Sequence, residues 1–327
     1  MKKMCILPFL VIVILFNVGC GSSSNVDNRS TLLVENNIST TTNDNSSSDI
    51  LNEELNTTSF FSNITREPYK QGEFGKIDLN SRYKIPQDAI FLDIRNDWER
   101  VQKWREESDK NGKIIWNNSK LALGSIGGAV YEYRDEKGDK DKKVREEFID
   151  EVLAISNNDK NQRLILICNS SSRTKKASKL LSDNNFTFVE HIVGGLSAWK
   201  DANLATATFD TIEVDGDFNI SENTLFLDIR NGWERADGNY AKGSVDGAVY
   251  EYRDEKGEKD REVRGEFVSE VLDLCEDNRS KPIILICKSS SRTLKASKLL
   301  VENGFMDVAH IKGGLSEWKS SGLPIGE

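Results

Sequence analysis

The chain predicts an α/β fold: two tandem domains, each a mainly parallel sheet with helices on both faces. Three observations lead there. Apolar runs of strand length, Leu164-Ile165-Leu166-Ile167 and Ile283-Ile284-Leu285-Ile286, alternate with segments of helical spacing. In those segments Ala177, Leu180 and Leu181, then Ala296, Leu299 and Leu300, recur at i, i+3, i+4. The order of elements occurs twice, an internal duplication. Each apolar run also ends in a short polar loop that opens a helix: Cys168-Asn169-Ser170-Ser171-Ser172-Arg173-Thr174, and Cys287-Lys288-Ser289-Ser290-Ser291-Arg292-Thr293.

Taken in order, the chain starts with Met1-Lys2-Lys3, a positive lead into the apolar core Ile6 to Phe16. That run is too short to span a bilayer and reads as a secretory signal over 1–20. Val18-Gly19-Cys20 resembles the end of a bacterial lipoprotein signal, with small Gly19 before Cys20 and Asn17 where an aliphatic residue is typical. The resemblance implies lipidation at Cys20 and a site in the bacterial cell envelope, on the periplasmic side. An ordinary signal cleaved nearby is the alternative. Residues 21–63 are rich in Ser, Thr and Asn and bury too little to offset ordering entropy. They read as a disordered tether.

The first domain is expected over 64–205 and the second over 206–327. Gly128-Ala129-Val130-Tyr131-Glu132-Tyr133-Arg134 recurs as Gly247-Ala248-Val249-Tyr250-Glu251-Tyr252-Arg253, and the two loop cysteines keep the same offset, 287 − 168 = 119. Phe91-Leu92-Asp93-Ile94-Arg95 recurs as Phe226-Leu227-Asp228-Ile229-Arg230 at 228 − 93 = 135. The first repeat therefore carries 16 extra residues (135 − 119) between Arg100 and Gly124. The expected order per repeat is a strand (Ala89 to Ile94 in the first), a helix, a strand near Ala129-Val130, and a helix from about Val144 to Ile155. The cysteine strand, loop and helix follow, then a strand (Phe188 to Val193), Gly-Gly and a last helix. The extra segment, Val101 to Leu123 with Trp104 and Trp116, reads as surface elaboration, or as a lid or partner surface near the first site.

A net charge of −9 with no basic patch argues against nucleic acid as the main partner. The five cysteines lack paired close spacing and there are two histidines, so neither a metal site, a disulfide framework nor a cofactor is indicated. Cys275 has Ser156 at its place in the first repeat and reads as a packing residue rather than a resolving thiol. In open α/β sheets ligands bind beyond the carboxyl ends of the strands. Cys168 and Cys287 sit there, at a helix start whose partial positive charge and unpaired N–H groups favour a thiolate. The small hydroxylic residues Ser170, Ser171, Ser172, Ser289, Ser290 and Ser291 can curl around an anion. Arg173 and Arg292 suit the anionic end of a donor; bracing the loop is their alternative role. Lys288 replaces Asn169 and adds a positive charge beside the second sulfur, favouring its thiolate and small dianions. Asp93 and Asp228 read as supporting residues paired with Arg95 and Arg230.

These segments resemble the rhodanese sulfurtransferase family. The match covers roughly Ile85 to Ala205 and Asn219 to Pro324. Asp93-Ile94-Arg95 with Glu99, and Asp228-Ile229-Arg230 with Glu234, are similar to its first signature. The Cys-x-x-Gly-x-Arg-Ser/Thr loop is present with Ser171 and Ser290 in place of glycine. Gly194-Gly195 with Ala198-Trp199, and Gly313-Gly314 with Trp318, match its C-terminal pattern. In Gly124-Ser125-Ile126-Gly127-Gly128-Ala129 and its second copy the family's histidine and proline are missing.

The resemblance implies sulfur transfer from thiosulfate or a polysulfide, through a cysteine persulfide, to a thiol, sulfite or cyanide. The loop length is that of the sulfur-transferring members; related phosphatases and arsenate reductases have one residue more. A non-catalytic rhodanese-like binding or redox-sensing module of the cell envelope is the alternative. If the glycine position needs φ > 0, serine there costs energy that glycine does not.

Overall fold

A computed structural model describes residues 66–101, 104–135, 140–254 and 259–326. The expected signal segment, Cys20 and the tether lie outside the described residues.

The first repeat contains β1 (Gly75–Ile77), β2 (Ala89–Asp93), α1 (Asp97–Val101), β3 (Arg105–Ser108), β4 (Ile114–Ala122), β5 (Glu132–Arg134) and β6 (Lys140–Val144). It continues with α2 (Phe148–Ile155), β7 (Arg163–Ile167), α3 (Ser172–Asp183), β8 (Val189–Ile192) and α4 (Gly195–Asp201). The second has β9 (Thr206–Ile212), β10 (Leu225–Asp228), a 3₁₀ turn (Gly232–Arg235), β11 (Glu251–Arg253) and β12 (Lys259–Val263). It ends with α5 (Phe267–Leu274), β13 (Ile283–Ile286), α6 (Ser291–Glu302), β14 (Val308–Ile311) and α7 (Gly314–Ser320).

The first sheet has the order β1-β8-β7-β2, all parallel. Its strands are apolar on both sides because both faces are covered. Leu92, Leu164 and Leu166 face α2 and α3, where they meet Phe148, Val152, Ala177 and Leu181. Their neighbours Phe91, Ile165 and Ile167 point the other way, onto Leu196 and Trp199 of α4. Successive side chains of a strand alternate between faces, so one strand serves two cores. The second sheet repeats this with β10-β13-β14-β9, again parallel.

Three elements depart from expectation. No strand forms at Ala129-Val130; the chain makes only single parallel bridges, Leu92 to Ile126 and Leu227 to Val245. The repeated Tyr-Glu-Tyr-Arg segment instead folds into a separate antiparallel hairpin, β5 with β6, and β11 with β12 in the second copy. Val144 belongs to that hairpin, so α2 begins at Phe148 rather than near Val144. The extra segment of the first repeat is neither a lid nor a loose surface loop. It forms β3 and β4, which extend the second repeat's sheet through antiparallel pairing of β4 with β9.

That insertion ties the repeats together. Trp104 and Trp116 both pack on Phe209 of β9, at ring distances of 5.2 and 6.0 Å. Trp104 Nε1 donates to Glu302 Oε1 at 2.7 Å, and Lys298 lies 4.4 Å over the Trp116 ring. At the end of β4, Leu121 is buried in the second repeat's core and Ala122 in the first's.

Candidate active site

Each cysteine loop leaves the C-terminal end of a central strand, β7 or β13, and runs straight into α3 or α6. Ser171 and Ser290 sit in the left-handed region, at φ 65° and 63°. The position therefore does need φ > 0, and serine holds it at a cost of roughly 1 kcal/mol. The curl is thus built with serine in place of glycine. Its consequence is a set of open donors. Among the described residues, the backbone N–H groups of 169–174 and 288–293 have no acceptor in the protein; the first paired amides are Lys175 to Ser171 and Leu294 to Ser290. These groups include the unpaired first turn of a helix, a ready anion site. The serines at 170, 172, 289 and 291 are exposed, while Cys168 and Cys287 are 1% exposed.

Two buried ion-pair systems hold the loop. Arg173 gives both terminal nitrogens to Glu99, at 2.7 and 2.8 Å, and Arg292 gives both to Glu234, at 2.7 Å each. Burial works to raise the pKa of each glutamate, but the paired arginine, helped by Asn96 or Asn231, outweighs it and brings both to about 2. Arg173 and Arg292 are 3% exposed. The structure therefore gives them a different partner from the expected donor anion: they brace the helix start against α1 in the first repeat and against the 3₁₀ turn after β10 in the second. Asp93 pairs with Arg95 and Arg100, and Asp228 with Arg230 and Arg235. Arg95 then reaches the Lys120 carbonyl at 2.6 Å, and Arg230 the Asn239 carbonyl at 2.7 Å. The Asp93–Arg95 and Asp228–Arg230 pairs thus close the strand ends next to the loop.

The outer side of the loop rests on the last helix. Leu196 N–H donates to the Cys168 carbonyl at 2.8 Å, and Leu315 N–H to that of Cys287 at 2.7 Å. A Cβ on Gly195 would stand 2.3 Å from the Cys168 carbonyl oxygen, and one on Gly314 equally close to that of Cys287. Both glycines also have φ 59°, so no other residue fits there without displacing the loop.

Behind each sulfur lies a hydroxyl and then a histidine. Cys168 Sγ donates to Thr174 Oγ1 at 3.8 Å, and Cys287 Sγ to Thr293 Oγ1 at 3.9 Å. His191 Nδ1 lies 3.4 Å from Thr174 Oγ1, and His310 Nδ1 3.3 Å from Thr293 Oγ1. Burial lowers the pKa of both histidines, that of His310 to about 4.

The rhodanese-like domain pattern matches residues 78–202 and again 217–321. The chain belongs to the rhodanese-like domain family. Among curated proteins it is similar to a tRNA uridine(34) hydroxylase of Photorhabdus laumondii, 31% identical over 106 residues, which is 31% of this chain and 26% of that protein. The hydroxylase of the same name from Yersinia enterocolitica is 30% identical over 106 residues, 31% of this chain and 27% of that protein. The chain thus spans about a quarter of the length of these relatives. Among solved structures, a thiosulfate sulfurtransferase from Pseudomonas aeruginosa aligns over 73% of this chain and 40% of its own, at 14% identity and TM-score 0.27. A rhodanese-related protein from Thermoplasma volcanium aligns over 32% of this chain and 84% of its own, at 19% identity and TM-score 0.22.

In both rhodanese-like domains the cysteine and the first two serines lie in one loop, the third serine and the arginine open the helix that follows, and the Asp-Arg pair lies at the neighbouring strand end. Lys288 is exposed at the rim. It lines a cleft of about 310 Å³ with Trp233, Arg253, Ser316 and Lys319. Cys275 is buried at the end of α5, where burial raises its thiol pKa, as suits a packing residue. Sequence reasoning missed the threonine–histidine pairs, which lie 17 residues apart and meet only through packing of α3 on β8 and α6 on β14. It also gave Glu99, Glu234, Gly195 and Gly314 no role at the site, although the family signatures contain all four.

Proposed function

We propose that this protein is a sulfurtransferase that carries sulfane sulfur as a cysteine persulfide. The observation behind this reading is the run of acceptor-free backbone N–H groups that follows each cysteine into a helix start. Such a cradle favours negative charge on sulfur before reaction and on the terminal sulfur after it. Cys168 or Cys287, having lost its proton to solvent, attacks the outer sulfur of thiosulfate. A new S–S bond forms, the donor S–S bond breaks, and sulfite leaves with the electron pair. A thiophile such as cyanide then attacks the terminal sulfur, thiocyanate departs, and the cysteine thiolate returns. A polysulfide can replace thiosulfate, and a thiol or sulfite can replace cyanide, with the same electron balance.

Intact mass before and after thiosulfate or polysulfide treatment tests this. The expected result is one added sulfur atom per reactive cysteine, removed by cyanide and lost in the Cys168→Ser/Cys287→Ser double variant. No gain in the parent protein sinks the reading.

The burial of both sulfurs favours a second reading, a rhodanese-like binding or redox-sensing module with little turnover. A mass gain without release to any acceptor supports that reading instead. The curated relatives are named for a tRNA reaction, but a chain of net charge −9 is poorly suited to RNA, so RNA is left out of this proposal. An N-terminal lipid at Cys20, holding the protein in a bacterial envelope, completes it. A mature N-terminal peptide with unmodified Cys20 overturns that part.

A further inference from the structure

We infer that Thr174 and Thr293 are positioning residues for the sulfur, each aimed at it by a buried histidine. Each threonine oxygen has three hydrogen-bonding partners: the cysteine sulfur, a serine carbonyl and a histidine nitrogen. Thr293 Oγ1 donates its proton to the Ser290 carbonyl at 3.0 Å, and Thr174 Oγ1 to that of Ser171 at 3.1 Å. A hydroxyl has one proton and two lone pairs. With its proton given to the carbonyl, it can only accept from the cysteine S–H and from the histidine. The histidine must therefore carry its proton on Nδ1 and present a lone pair at Nε2.

When the cysteine loses its proton, the threonine proton turns from the serine carbonyl to the sulfur. The Nδ1–H bond holds the oxygen in place during that turn, so the change needs no side chain to move. Every donor then points toward the sulfur: histidine N–H to threonine oxygen, threonine O–H to sulfur. Bonds in such a chain polarise one another. The histidine stays neutral throughout, in keeping with its burial and lowered pKa.

The two repeats differ in the length of this chain. In the second, Thr211 of β9 lies 3.1 Å from His310 Nε2 and supplies one more donor in the same direction. In the first, Lys76 holds the corresponding register position on β1, and among the described residues the buried His191 Nε2 has no partner. The second sulfur is therefore held by three links and the first by two.

The test uses the full chain, with labelling at Cys168 and Cys287 read separately by peptide mass. Alkylation by iodoacetamide reports sulfur anion reactivity without any donor, and sulfur uptake from thiosulfate is measured in parallel. Only the uptake measurement rests on the sulfurtransferase reading. The expected result is that Thr293→Val slows alkylation of Cys287 roughly ten- to a hundredfold, the range for losing a hydrogen bond to a charged group. Cys168 in the same molecule keeps its rate and rules out general unfolding. Thr293→Ser, which keeps the hydroxyl, recovers most of the rate. Thr211→Val slows Cys287 alone, by roughly twofold. Unchanged Cys287 alkylation in Thr293→Val, or no recovery in Thr293→Ser, overturns the role of the threonine; an unchanged rate in Thr211→Val overturns the histidine link. Absent sulfur uptake in the parent with the alkylation pattern intact refutes the proposed reaction and leaves this inference standing.

Discussion

The two repeats build the cysteine loop in the same way and differ in what surrounds it. Ser171 and Ser290 take the same left-handed conformation, and Glu99 and Glu234 grip the same arginine in the same bidentate way. The differences lie outside this frame. Asn169 stands where the second repeat has Lys288, and among the described residues the histidine behind the first sulfur lacks the Nε2 partner its counterpart has and β3 and β4 belong to the first repeat alone. The comparison separates what a loop needs in order to form from what tunes it. Its conformation is set by buried pairs and glycine contacts that both copies keep. Its electrostatics depend on one exposed residue and one strand neighbour, and there the copies diverge.

The largest expected effect falls on what the copies share. Glu99→Gln and Glu234→Gln should each destabilise by about 3 kcal/mol. A glutamate lowered from 4.5 to about 2 corresponds to that much differential stabilisation, and breaking a buried pair costs about 3–5 kcal/mol. Because the folded pKa is depressed, this stabilisation is complete above about pH 4.5 and is lost as pH falls through about 2. Denaturant unfolding of parent and variants at neutral pH and at about pH 2 checks it. The gap should close in acid. A clear difference between the two variants would break the claim that both loops are braced alike.

Next comes the feature the copies do not share. Trp116 belongs by sequence to the first repeat but is partly buried against Phe209 and Lys298 of the second. Trp116→Ala should cost about 2 kcal/mol, less than the 3–5 kcal/mol of a fully buried aromatic. Hydrogen exchange should show the loss in β9 and α6 rather than in β2 or β7. Loosening confined to the first sheet would count against the clasp.

A smaller, symmetrical effect is expected at the curled serines. Ser171→Gly and Ser290→Gly should each stabilise by about 1 kcal/mol, because glycine holds φ near 65° and 63° without a Cβ penalty. Thermal unfolding measures this. A destabilised variant would mean that the serine hydroxyl contributes more than its backbone strain costs.

Much of this was legible in the sequence, for identifiable reasons. Leu164 to Ile167 and Ile283 to Ile286 are strands buried on both faces, and such strands read as continuous apolar runs. The cysteine loops announced themselves by position, between such a run and a helical pattern. Glu132-Tyr133-Arg134 and Arg105 to Ser108 did not, because their strands bury little and show no apolar alternation; β3 is exposed throughout. Pairing of β4 with β9 joins segments from different repeats, which no local pattern records. The Thr-His contact depends on a helix lying over a strand, so its signal was the matching positions of both residues in the duplication, 293 − 174 and 310 − 191, each equal to 119.

The smallest effect is expected at the rim residue in which the two loops differ. Lys288→Asn makes the second loop identical in sequence to the first over the stretch from cysteine to threonine. Lys288 is exposed, so its attraction for an anion is screened and amounts to less than about 1 kcal/mol. Sulfur uptake from thiosulfate at Cys287 should fall no more than about fivefold, and the loss should shrink as salt is added. If Lys288 alone distinguished the copies, Cys287 would then match Cys168. The third link through Thr211 predicts otherwise: Cys287 should remain the faster of the two, and the margin that survives in Lys288→Asn should disappear only when Thr211→Val is added.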